Sequence, residues 1–132
     1  MTHEAILPAG WPRPKGYANG VVANGRMLFI AGMIGWDANE HFPSDDFAAQ
    51  ARQALANIAA VLQQAGGKPE HIVRMTWYVT DKREYLAAAK DIGKAFRETI
   101  GCYDIAMTAV EVKALIEDRA KVEIEATAML PE

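Results

Sequence analysis

The chain has 132 residues, 51% of them hydrophobic and 23% charged. That length suits one domain over residues 1–132 with a packed core, and the composition excludes whole-chain disorder. Fourteen basic and seventeen acidic residues leave a net charge of −3, so no overall field attracts phosphate backbones or anionic lipid, and neither nucleic acid nor membrane is an expected partner.

In chain order, residues 1–15 read as an extended lead-in, with prolines at Pro8, Pro12 and Pro14. Asn24-Gly25 then separates apolar runs at residues 18–23 and 26–31. This dipeptide suits a type I′ turn, which needs positive φ at both central positions, and predicts a β-hairpin. Gly32 and Gly35 at its exit suit a bulge or a close backbone approach. Pro43-Ser44-Asp45-Asp46 opens a helix whose apolar face is Phe47, Ala51, Ala54, Leu55, Ile58, Val61 and Leu62, and Gly66-Gly67 closes it. Residues 74–80 alternate and are rich in strand formers. Asp81-Lys82-Arg83-Glu84 has the form of a capping box, and Tyr85, Ala89, Ile92 and Phe96 mark one face of a second helix. Strands at residues 105–112 and 121–128 end the pattern, joined by a charged loop around Glu117-Asp118-Arg119. The order is ββαβαββ, an α+β chain with two helices covering one sheet face.

The two-residue period divides the closing strands. Ala106, Thr108, Val110 and Val112 oppose Met107, Ala109 and Glu111, while Val122, Ile124 and Ala126 oppose Glu123, Glu125 and Thr127. The small aliphatic sides suit packing under helices. The other side, Met107 included, mixes apolar residues with three glutamates, which fits a subunit interface carrying a polar pocket.

Few side chains here support nucleophilic or metal chemistry. Ser44, the one serine, sits in a helix-cap context, and no Gly-x-Ser-x-Gly elbow exists. Cys102, the one cysteine, excludes an intramolecular disulfide, points to a reducing compartment, and reads as a packing residue. His3, His41 and His71 are scattered, so no metal site is expected. Gly32-Met33-Ile34-Gly35 is not a phosphate loop, there is no dinucleotide fingerprint, and no cofactor is expected. The first residues lack both a basic region and a long apolar run, so neither signal peptide nor membrane span is expected and the location reads as cytoplasmic. What remains is the glutamates of the closing strands. Glu123 and Glu125 share a face, either as a solvated edge or interface ion pair, or with one carboxylate in a cleft where it orients or activates water.

The placed elements bring out a likeness covering residues 16–128. Its carriers are Gly16-Tyr17-Ala18-Asn19-Gly20, Leu28-Phe29-Ile30-Ala31-Gly32, the helix Gln50-Ala51-Arg52-Gln53-Ala54-Leu55-Ala56-Asn57-Ile58, Ala65-Gly66-Gly67, Val79-Thr80-Asp81, Ala109-Val110-Glu111-Val112 and Val122-Glu123-Ile124-Glu125-Ala126. In these stretches the chain resembles the RidA family, also called the YjgF/YER057c/UK114 family. The resemblance implies a chorismate-mutase-like subunit with a mixed sheet, assembled as a homotrimer with a small-molecule cleft at each subunit interface. Active members hydrolyse enamines and imines such as 2-aminoacrylate to the 2-keto acid and ammonia, holding the substrate carboxylate with an arginine.

Carried over by position, Tyr17 and Gly32 match pocket residues and Glu123 matches the glutamate that places water. The family pattern Arg-x-x-Val-x-Val stands here as Met107-Thr108-Ala109-Val110-Glu111-Val112, so Met107 occupies the arginine's place. Met33 replaces a common glutamine, and the usual proline before Tyr17 is absent. Methionine cannot make a charge-assisted pair with a carboxylate. Three functions are therefore compared: hydrolysis of an enamine, imine or related compound lacking that carboxylate; a non-catalytic trimer binding a metabolite or partner; and an endoribonuclease or translation inhibitor. The acidic balance ranks the last lowest. The first two share the expectation that Tyr17, Gly32, Met107 and Glu123 line one cleft.

Overall fold

A computed structural model describes residues 3–132, with strands and helices in the order β1 (Glu4–Ile6), β2 (Gly20–Val22), β3 (Arg26–Ile34), α1 (Phe47–Gln64), β4 (Ile72–Val79), α2 (Lys82–Ala87), α3 (Ala89–Thr99), β5 (Ala106–Glu111) and β6 (Val122–Leu130). The fold is α+β. The main sheet has four strands in the order β3-β6-β4-β5, and β1 pairs with β2 in a separate two-stranded sheet. In β6, Val122, Ile124, Ala126, Ala128 and Leu130 are buried while the residues between them are half-buried. That strict alternation makes β6 the centre of the sheet, antiparallel to both β3 and β4.

The aliphatic face of β6 lies under α1, which packs on β3 and β6 with Ala51, Ala54, Leu55, Ile58 and Leu62 fully buried. Local chemistry sets the ends of α1. The Asp46 carboxylate accepts from the Ala49 N–H, the Ser44 hydroxyl accepts from the Asp46 N–H, and Gly66 ends the helix at φ 81°. The predicted second helix is two, α2 and α3, so three helices are present. They break at Ala88, whose ψ of 9° departs from helical geometry. The break lets Tyr85 of α2 set its ring edge-on to Phe47 and Trp77, while α3 turns Ile92 and Ala95 inward and packs on α1.

Two strand expectations are corrected. The hairpin through Asn24-Gly25 does not form: β2 pairs with β1, and β3 pairs with β6. Only Gly25 of that dipeptide has positive φ, at 135°, so the turn is not type I′. Glycine is needed there for another reason, because a Cβ would run into the backbone carbonyl of Leu130. The second correction concerns β5. It pairs in parallel with β4 through the α2–α3 crossover, with Met75 opposite Met107 and Trp77 opposite Ala109. Met75 and Trp77 are buried beneath the helices, so Met107 and Ala109 belong to the helix side, not the helix-free side. Glu111 follows them there and accepts from the Lys82 N–H at the start of α2. As expected, β3 carries a bulge beside Gly32, between Ile30 and Met33.

Gln50 ties these parts together. It is 1% exposed, its Nε2 donates to the carbonyls of Ser44 and Arg119, and its Oε1 accepts from the Lys121 N–H. The start of α1, the charged loop and the approach to β6 thus share one amide. Gly35 lies against it, where a Cβ would come 2.6 Å from Gln50 Cβ. Replacing Gln50 with leucine strands these backbone groups, so Gln50→Leu should lower stability by about 2–4 kcal/mol. Urea unfolding at one fixed protein concentration checks this, and a loss below about 1 kcal/mol would contradict the role given to the amide.

Candidate ligand-binding site

Because α3 rests on α1, the far end of the sheet is left without a close lid. The result is a groove of about 970 Å³ bounded by the lead-in, α2, α3 and β5. Trp77, Met107 and Ala109 line it from the sheet, Tyr85, Ala89 and Phe96 from the helices, and Tyr17 from the lead-in. Tyr17 is held by its neighbour: the Ala18 N–H donates to the Ile105 carbonyl, and Ala18 bridges to Ala106 at the edge of β5. Tyr17 and Met107 therefore share one groove, but on the helix side, not on the helix-free face where the two-residue period places Met107 with Glu123. Trp77, Tyr85 and Phe96 were read only as strand and helix residues. Their common placement needed the parallel β4–β5 register.

The opposite, helix-free face carries the other two residues. Glu123 is half-buried on β6, and Gly32 on the β3 bulge lies against its carboxylate so closely that a Cβ at position 32 would overlap Glu123 Oε2. The glycine leaves the carboxylate its space. Tyr78 and Glu125 stand on the same face, with the phenol donating to Glu125 Oε1 at 2.5 Å. Around them the face is partly apolar, with Phe29 73% exposed and Met27 53% exposed. Within one chain the four expected residues thus fall into two pairs, Tyr17 with Met107 and Gly32 with Glu123, on opposite sides of the sheet. A single cleft lined by all four is not present in one chain.

The remaining sequence candidates have structural roles or none assigned. Ser44 supports the α1 cap, and Cys102 is exposed at the groove margin. His71 is buried, its Nδ1 accepting from the Lys68 N–H. A second depression, near the charged loop, is lined by the paired Arg119–Asp45 and Lys121–Glu84 and by Lys113, Glu117 and Asp118. Among the described residues no group of three or more His, Cys, Asp or Glu is placed to hold a metal ion, and no helix is long and apolar enough to cross a membrane.

The Tyr78–Glu125 contact has a measurable signature. The hydrogen bond to Glu125 stabilises the neutral phenol, and desolvation and the negative charge of Glu125 and Glu123 oppose the phenolate, so Tyr78 ionises above its ordinary value of 10.0. The sign follows: this contact's stabilisation is complete below 10 and is lost as pH rises through the higher folded value. In a phenolate absorbance titration, Tyr78→Phe should remove a step lying above 10, and Glu125→Gln should move that step down. A step unmoved in Glu125→Gln would show that the carboxylate is not its cause.

Comparison with known proteins agrees with this architecture. A family model described as Endoribonuclease L-PSP matches residues 12–130. A RutC family protein of Synechocystis is 35% identical over 133 residues, covering 99% of each chain. A 2-iminobutanoate/2-iminopropanoate deaminase of Salmonella typhimurium is 34% identical over 105 residues, 80% of each chain. The crystal structure of the Rid family protein YyfB from Yersinia pestis, a protein of unknown function, matches with a TM-score of 0.86 and 33% identity, over 98% of this chain and 100% of that one. With the family model covering nearly its whole length and relatives alike from end to end, the chain belongs to the endoribonuclease L-PSP family, the family of the RidA/YjgF and RutC proteins.

Proposed function

We propose that this protein hydrolyses an enamine or imine in clefts between three copies of itself, Tyr17 and Met107 of one copy facing Gly32 and Glu123 of the next. The observation that supports the reading is the division of these residues between two faces: Tyr17 and Met107 line the groove on one side of the sheet, and Gly32 and Glu123 meet on the other. The partly apolar helix-free face supplies the surface that a neighbour would cover. Relatives named 2-iminobutanoate/2-iminopropanoate deaminase support the reaction class.

In this reading Glu123 takes a proton from water as the oxygen adds to the C=N carbon. Glu123 returns that proton to the nitrogen, giving the neutral carbinolamine; its hydroxyl proton then passes to the nitrogen as the C–N bond breaks, so ammonia leaves and a carbonyl remains. The glycine at position 32 keeps the carboxylate free to turn toward that water. Met107 gives the substrate side a soft, uncharged contact. The substrate therefore carries no carboxylate at that point, and the family's amino-acid-derived imines are poor substrates. Met107 is also the observation that favours a second reading, a trimer that binds a metabolite without turning it over.

Three measurements test this. Light scattering should give three times the chain mass, and a stable monomer at micromolar concentration would overturn the shared-cleft arrangement. With 2-aminoacrylate generated in situ, decay should be accelerated roughly ten- to a hundredfold less than by an arginine-bearing relative, the cost of about 1.5–3 kcal/mol for a missing charge-assisted pair. Met107→Arg should recover part of that difference. Glu123→Gln should abolish turnover of a found substrate while leaving assembly and binding intact; if only affinity changes, the binding protein is the right description.

A further inference from the structure

The groove carries a charge opposite to that of the chain as a whole. Among the described residues three cations, Arg13, Lys15 and Arg97, and one carboxylate, Asp104, line it, while the chain's net charge is −3. None of the three cations has an ion-pair partner among the described residues, and Glu98, next to Arg97 in sequence, is taken by Arg52. Local structure brings these cations to one place. Pro12 and Pro14 stiffen the lead-in, and a residue before a proline is disfavoured from helical backbone, so Arg13 and Lys15 reach the groove together as residues two apart in an extended run do. Arg97 arrives from α3. Ala89, Gly93 and Arg97 follow one another at four-residue spacing along the helix face that lines the groove. Helical side chains lean toward the helix N-terminus, and Arg97 Nη1 lies 3.3 Å from where a Cβ of Gly93 would stand. The guanidinium is thus laid back along the groove wall over a residue with no side chain, away from the last carbonyls of α3 that a C-terminal cation commonly meets.

Met107 is half-buried and the three cations are exposed, so the uncharged contact lies within the groove and the charge stands at its mouth. We propose that the groove takes an elongated anionic ligand, its apolar part against Met107 and Phe96 and its carboxylate or phosphate tail held by Arg97 with Arg13 and Lys15. The substrate class is then an enamine or imine whose anionic group is separated from the C=N carbon by an apolar stretch. A guanidinium suits either anion, because its planar fork offers two parallel hydrogen bonds. The proposal rests on the reading that the Tyr17–Met107 side is the ligand-facing half of the site. It accounts for how a groove with methionine at position 107 still selects an anion. The other claimant for these cations is a carboxylate of the neighbouring copy, and the test separates the two.

The test is a matched pair of probes, 4-phenylbutanoate and 4-phenylbutanamide, alike in shape and different in charge. Calorimetric titration of the intact protein at low salt should show the acid binding about threefold to tenfold more tightly, the range for a charge-assisted contact with exposed cations. That preference should shrink as ionic strength rises from about 0.01 M to about 1 M. It should fall in Arg97→Gln and vanish when Arg13→Gln and Lys15→Gln are added, with the mass by light scattering unchanged. A third probe, 3-phenylpropyl phosphate, tells the two tails apart: whichever anion binds more tightly is the one the cations fit. Equal affinities, no binding of any probe, or a preference that survives the triple substitution would each overturn the proposal. So would a change of assembly in Arg97→Gln, which would give the cations to the neighbouring copy. These measurements involve no turnover, so a hydrolase reading that fails on Glu123→Gln leaves the probe result standing, and a failed probe result leaves the Glu123 chemistry standing.

Discussion

The alternation of β6 is the constraint on which the other elements depend. This strand is hydrogen-bonded on both sides, to β3 and to β4, so the face chosen by Val122, Ile124, Ala126, Ala128 and Leu130 is imposed on both neighbours. A slip of one residue would turn Glu123 and Glu125 toward α1 and the aliphatic residues outward. Burying two carboxylates without partners costs far more than any local preference could repay. The register is thus fixed by side chains on one strand. Through it, the helix side of β4 is defined, and through the parallel pairing of β4 with β5, so is the position of Met107.

The groove is a by-product of how the helices share the sheet. Helix α1, eighteen residues long, covers β3 and β6 closely, and α3 packs on α1. Over the outer end of β4 and β5 the cover is thinner: Tyr85 rests on Trp77, while Met107 and Ala109 line the groove beside it. Tyr85 props that opening by standing edge-on to both Phe47 and Trp77. The lead-in closes the remaining side through the Ala18 contact with β5, which carries Tyr17 to the groove. An edge strand with an unpaired outer rim is thereby partly masked, as soluble sheets require.

Chemically the two faces differ in kind. The groove presents aromatic rings and a thioether, with Arg13, Lys15 and Arg97 among its lining residues. The helix-free face presents carboxylates, one facing a glycine and one engaged by a tyrosine. Glu125 is occupied by Tyr78, whereas no side chain hydrogen-bonds Glu123 among the described residues.

Much of this was legible in the residues. The ends of α1, the inward and outward sides of β6 with Glu123 and Glu125 facing away from the helices, and the bulge near Gly32 all follow from spacing, capping and burial cost, which act over a few residues. The resemblance in seven stretches named the family. What local chemistry did not decide is pairing. Asn24-Gly25 looked like a hairpin turn, yet the competing partners of its flanks, β1 and β6, lie far away in sequence, and Gly25 answers to the Leu130 carbonyl. In β5, Thr108, Ala109, Val110 and Glu111 are all exposed, so its alternation carries no sign saying which side is inward. Only its register on β4 settled that Met107 lies with Trp77 and away from Glu123. The sequence by itself determined the elements, the family and the chemistry at hand; the tertiary structure alone decided which residues meet, because an edge strand takes its faces from its partner and not from its own composition.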